Sequence, residues 1–147
     1  MKSKHNQFAK LSTYAGINAY NQAGANLKEQ FHKLGKAFLK DLAKLLGPDI
    51  GEYTVSSNKA GIAVLGEVTL HADNLYVQLH DSFNGNGISA LYRSCTSQKD
   101  YHGGPNNHAN MPDFFNNETS QERVLESMRK LARLEKSRKK ADACAPA

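Results

Sequence analysis

Cysteine is scarce in this chain, and long apolar runs are missing from it. Its two cysteines, Cys95 and Cys144, have no paired spacing, no CxxC and no neighbouring His/Cys cluster. Neither a disulfide framework nor a zinc site is expected, and free thiols in a reducing compartment are the plain reading. The opening MKSKHNQFAK lacks the apolar core of a signal peptide, and no later stretch approaches the ~20 apolar residues of a membrane span. A cytoplasmic protein with no membrane partner is the expectation. No zinc finger, helix-turn-helix or RNP-like motif is present, which leaves any nucleic-acid contact without a motif to specify sequence. No cofactor is implied.

What is there suffices for one domain. A chain of 147 residues buries roughly 70% of the surface that its unfolded form exposes. The net charge of +5 is unevenly spread: residues 1–47 carry +6, residues 48–117 carry −4 and residues 118–147 carry +3. Such asymmetry steers a polyanion toward the basic flanks.

The register-setting stretch is Ile62 to Asp81, IAVLGEVTLHADNLYVQLHD. With Asp73 and Asn74 as the centre of a tight turn, Leu70 faces Val77 and Val68 faces Leu79. On the opposite side His71 faces Tyr76, Thr69 faces Gln78 and Glu67 faces His80. One apolar and one polar face result, and a slip of one residue would mix them, so an antiparallel hairpin with one buried face is predicted. Before it, GEYTVSS reads as a strand and Asn58 to Gly61 as a turn. Gly66 interrupts the apolar face of the long strand, which predicts a bulge or the close approach of a helix. After it, SFNGNG is a turn and ISALYRSC a fourth strand of unsettled phase, because Ile88 and Leu91 point to opposite faces of a regular pleat.

Helical patterns flank the strands. Asn26 is a candidate N-cap, and Leu27, Phe31, Leu34, Phe38, Leu42 and Leu45 form one stripe that Gly47 and Pro48 end. Lys33, Lys36, Lys40 and Lys44 fall on the other side of that cylinder. Thr119 with Glu122 offers a capping box, followed by a stripe of Val124, Met128, Leu131 and Leu134 helped by Leu125 and Ala132. Arg129, Lys130, Arg133 and Lys136 lie broadly opposite. The organisation expected is a mobile arm (1–25), one α+β domain (26–137) and a disordered tail (138–147). Its fold class is two-layer α+β, a four-stranded antiparallel meander packed against N- and C-terminal amphipathic helices.

Chemically capable side chains concentrate in residues 96–117, a long segment without periodicity, and just before it. Gly103, Gly104 and Pro105 force a turn whose N–H groups can approach an anion. The leading expectation is a non-catalytic binding or regulatory module for a polyanion, either nucleic acid or an acidic protein surface. Lys33, Lys36, Lys40 and Lys44 supply attraction, and Arg93, Lys99, Tyr101, Asn106 and Asn107 supply specific contacts. The alternative is a small enzyme, hydrolysing a phosphodiester or acyl bond with Cys95, Lys99, His102 and His108. A third reading pairs the protein with itself or a partner through an uncovered sheet edge or face, which allows a homo-oligomer. Glu67, His71 and His80 share a face, but Glu67 and His71 are roughly 13 Å apart along a strand, so no metal site is expected.

Overall fold

The computed structural model of the chain describes residues 10–81, 87–110 and 118–144. Strands β2 (Glu67–Ala72) and β3 (Leu75–Asp81) pair in the register the alternation demands, with Val68 opposite Leu79, Leu70 opposite Val77 and His71 opposite Tyr76. On either side stand β1 (Tyr53–Asn58) and β4 (Ile88–Ser94), and beyond β4 lies a fifth strand, β5 (Asn107–Asn110). All neighbours are antiparallel in the order β1-β2-β3-β4-β5. The fold is therefore α+β as expected, but the sheet has five strands and not four. The short strand β5 sits in the segment read as aperiodic, because four residues are too few to display an alternation.

Strand β4 needs no bulge. Its pairing with β3 is continuous from Leu75–Ser94 to Asp81–Ile88. Ile88, Ala90 and Tyr92 turn to the core, and Leu91 is left half-buried on the outer face. The turn SFNGNG lies almost wholly outside the described residues, as do 1–9 of the expected arm and 111–117.

Helix α1 (Gln22–Leu46) begins five residues earlier than its apolar stripe suggested, because Asn21 caps it by accepting from the Gly24 N–H at 2.8 Å. Gly47, at φ 83°, ends it. Its buried face is Phe31, Gly35, Phe38, Leu39, Leu42, Ala43 and Leu46, while Leu27 is exposed. Gly35 is where the helix comes closest to the sheet: a Cβ there would stand 2.9 Å from Val68 Cγ2. Gly66 has another role. At φ 84° it turns the β1–β2 connection, and a Cβ would collide with the Asn58 carbonyl.

Helix α2 (Glu118–Cys144) packs on the same sheet face, where the Tyr92 hydroxyl bonds Ser127 at 2.9 Å. Leu125, Met128 and Ala132 are buried; Leu134, assigned to the apolar stripe from sequence, is exposed. Thr119 lies inside the first turn and not at a cap. Residues 138–144, expected in a tail, continue the helix, and Lys139 Nζ reaches the hairpin turn, donating to the Asp73 carbonyl (2.7 Å) and Asn74 Oδ1 (2.6 Å). Residues 10–21 form a strap over the core rather than an arm. Leu11 and Tyr14 are buried, the Gly16 N–H donates to Asp81 at 2.7 Å and the Ala19 N–H to the Ile62 carbonyl at 2.7 Å. Among the described residues no helix is long and apolar enough to cross a membrane.

Candidate functional site

The glycine turn expected to receive an anion already holds one. Asp100 accepts the N–H groups of Thr96, His102 and Gly103 at 2.9, 3.0 and 3.0 Å, together with the Thr96 hydroxyl. These donors hold its carboxyl well below the usual carboxylate range. Gly103, at φ 54°, is required there, since a Cβ would meet the Ser94 carbonyl at 2.4 Å. Arg93 clips the loop to the sheet: Nη2 donates to the Tyr101 carbonyl at 2.6 Å, Nη1 to Asn106 Oδ1 at 3.2 Å, and its guanidinium lies 4.2 Å over the Tyr76 ring. Asn107 donates to the Pro105 carbonyl. Arg93, Asn106 and Asn107 thus serve the loop itself, while Tyr101 and Lys99 project outward.

The loop folds onto the outer face of the sheet, the side away from both helices. Thr54, Ser56, Asn58, Glu67, Thr69, His71, Tyr76, Gln98 and Tyr101 line a recess of about 380 Å³ there. Several of its polar groups are bonded to one another or to neighbouring residues. Thr54 bonds Gln98, Asn58 bonds Glu67, Gln78 bonds the Tyr76 hydroxyl and His71 Nε2 bonds the Ser97 carbonyl at 3.0 Å. This hydrogen-bond lattice fixes the loop.

Cys95 is buried, its thiol donating to the Ala72 carbonyl at 3.1 Å. Burial, then the charge of Asp100, pushes its pKa up to about 11, so it is a protonated thiol at neutral pH and no nucleophile. His102, in the loop, and His108, on β5, are exposed. Among the described residues no hydrogen bond joins any two of Cys95, Lys99, His102 and His108. His80 is pushed down chiefly by burial and then by His108, and its Nδ1 has no hydrogen-bond partner among the described residues. No group of three or more His, Cys, Asp or Glu is placed to hold a metal among the described residues.

The basic residues of the two helices differ in kind. On α2, Arg129 pairs with Glu122 and Glu126, Arg133 with Glu126, Lys136 with Asp49, and Arg138 with Glu135 and Asp142. Half of the eight basic residues of α2 are thus neutralised in place. On α1, Lys33, Lys36, Lys40 and Lys44 have no ion pair among the described residues. At 100° per residue they occupy an arc of about 80°. Three of them, Lys33, Lys36 and Lys40, join Glu29, His32, Ala37 and Lys59 around a groove of about 330 Å³.

Sequence reasoning missed the groove's other wall. Lys59, on the β1–β2 connection, pairs with Glu29. His32, 2% exposed, bonds the Leu65 carbonyl through Nε2 at 2.8 Å, and Lys28 Nζ reaches the Gly61 carbonyl at 2.8 Å. These contacts pull the β1–β2 connection against the first half of α1. Burial, then the charges of Lys59 and Lys28, holds His32 below its ordinary pKa. The spacing of Lys28, His32, Gly35 and Leu39 carries the signal, but polar types hide it in an apolar count. Comparison of the chain with protein-family models, with curated proteins and with solved structures finds no significant match.

Proposed function

We propose that the chain is a non-catalytic binding or regulatory module that contacts a polyanionic partner, nucleic acid or an acidic protein surface, through the lysine flank of α1. The observation that carries this reading is the contrast between helices. Four lysines on α1 have no ion pair among the described residues and share one arc, three of them at the groove with Lys59, while four of the eight cations of α2, Arg129, Arg133, Lys136 and Arg138, are held in ion pairs. A long, unpaired lysine stripe needs only spaced negative charge to bind, and it reads no sequence. The loop that carries Lys99 and Tyr101 lies on the outer face of the sheet, away from the helices, and this reading does not draw on it.

The enzyme reading finds less support: its nucleophile is buried and protonated, and the recess beside the loop is lined by groups bonded to one another. Fluorescence anisotropy with a 20-base-pair DNA duplex and with polyglutamate tests the proposal. Binding to either probe should weaken steeply with salt and should be lost when Lys33, Lys36, Lys40 and Lys44 are all changed to Gln. Binding that ignores salt, or that the fourfold variant retains, would end it.

A further inference from the structure

Near the lysine stripe runs a sheet edge that is unpaired among the described residues. Strand β1 is terminal in the sheet, and among the described residues Tyr53 to Asn58 make no backbone hydrogen bond outside the β2 ladder. Edges of this kind are usually blunted by lysine, proline or a bulge. The strand YTVSSN has no charge and no proline, and its pairing with β2 advances without a break from Tyr53–Ala72 to Asn58–Glu67. The other edge, β5, spans four residues among those described.

The two features lie side by side. Arg129 of α2 donates to the Leu45 carbonyl, which puts α2 on the Leu34 and Leu45 flank of α1. Lys36 and Lys40 project from the opposite flank, at the groove where Lys59, the residue that follows β1, meets Glu29. Helix and strand run in opposite directions: the Pro48–Ile50 turn links the end of α1 to the start of β1, and Gly61 and Leu65, beyond the end of β1, bind Lys28 and His32. From Lys33 to Lys44 the stripe is about 16 Å long at 1.5 Å per residue. A six-residue strand is about 20 Å long, and residues on one face of it recur about every 6.6 Å. The lysines recur every three or four residues, or about 4.5 to 6 Å. A strand added to β1 would therefore present one side chain in two to the lysines, at nearly their own spacing.

We infer that the partner is an acidic, extended segment of another protein, which adds to β1 as a sixth strand and sets alternate carboxylates against the groove lysines Lys33, Lys36 and Lys40. The inference rests on the reading of the stripe as an anion-seeking surface and names the occupant. Main-chain hydrogen bonds supply the attachment, and the lysines choose an acidic chain. A second copy of this protein is disfavoured at the same edge, because pairing β1 with β1 would bring two lysine stripes together. Duplex nucleic acid would satisfy the lysines and leave the edge amides unpaired.

The test uses the full chain and a labelled twelve-residue peptide alternating glutamate with valine or threonine. Two further forms carry backbone N-methyl groups, one on every glutamate and the other on every valine and threonine. An added strand turns only alternate N–H groups toward β1, so one N-methylated form should bind at least tenfold more weakly while the other stays within about threefold of the parent. Amide exchange at alternate positions from 53 to 58 should slow at least tenfold with the parent peptide. K33Q/K36Q/K40Q should cost at least tenfold in its affinity. Equal binding of all three peptides, or unchanged exchange in β1 under saturating peptide, overturns the inference and leaves the anion-binding reading standing. Tighter binding of the DNA duplex with no change in β1 exchange does the same. Failure of the peptide, polyglutamate and DNA alike at low salt removes both.

Discussion

Gly35 is the point at which the fold depends on the absence of one carbon atom. In the middle of a 25-residue helix, alanine is intrinsically favoured over glycine by about 0.8–1.0 kcal/mol. Against that gain, the new Cβ would sit 2.9 Å from Val68 Cγ2, and Val68 is fully buried on a short side chain that cannot swing aside. Overpacking of this kind costs about 1–3 kcal/mol. Gly35→Ala should therefore destabilise by about 0–2 kcal/mol net, the reverse of its effect at an exposed helical site. Val68→Ala alone removes two buried methyl groups, costing about 2–3 kcal/mol once the residual cavity is included. In the double variant the methyl introduced at position 35 has no Cγ2 to meet and part-fills the space, so the two costs should fall short of additivity by about 1 kcal/mol or more. Urea unfolding of the four proteins reads this directly, with unchanged m-values showing that the compactness of the end states is preserved. Additive costs, or a Gly35→Ala protein more stable than its parent, would refute the close approach of α1 to β2 on which the placement of the lysine flank depends.

Three histidines set an acid limit. Burial lowers the pKa of His32, His71 and His80, so the folded chain resists protons that the unfolded chain accepts below about pH 6.5. Stability present above that value should fall as pH drops from 7 to 5, with urea midpoints moving down, and His32→Gln should lessen the fall; a flat profile would contradict their buried, neutral state. Lys139→Met should destabilise by about 1–3 kcal/mol through loss of its two bonds to the Asp73–Asn74 turn, as read by urea unfolding; an unchanged midpoint would return residues 138–144 to a tail. Cys95 should resist iodoacetamide at pH 8 in the native protein, where a thiol titrating near 11 is about one part in a thousand thiolate, and react readily in urea. Rapid native labelling of the peptide containing Cys95 would refute its burial.

Long-range order was legible where a two-sided pattern repeated. The β2–β3 register followed from the tight turn at Asp73 and Asn74 together with the alternation, since a slip of one residue mixes apolar and polar faces. Both helices were visible from their stripes, yet the buried arcs are rotated from the expected ones: Leu27 and Leu134 are exposed, and His32 and Gln121 are buried. A stripe counted in apolar residues alone leaves out polar side chains that a local carbonyl satisfies, as Leu65 does for His32. Strand β5 and the end of α2 were hidden for a different reason, because their contacts are with distant residues. Polar loop composition likewise concealed that the loop's anion is its own Asp100. The lysine stripe was readable as a helical spacing; that it lies near an uncharged strand with no second neighbour among the described residues required the sheet order.

The most direct measurement is the salt dependence of binding for the parent chain and K33Q/K36Q/K40Q/K44Q with one DNA duplex. Each neutralised phosphate contributes about −0.9 to the slope of log K against log salt, so four lysines account for a difference of about 3.6 between the two proteins. Between 50 and 200 mM salt the parent should lose about 150-fold more affinity than the variant. Parallel lines for the two proteins, with this duplex and with polyglutamate alike, would contradict the lysine flank of α1 as an anion-binding surface.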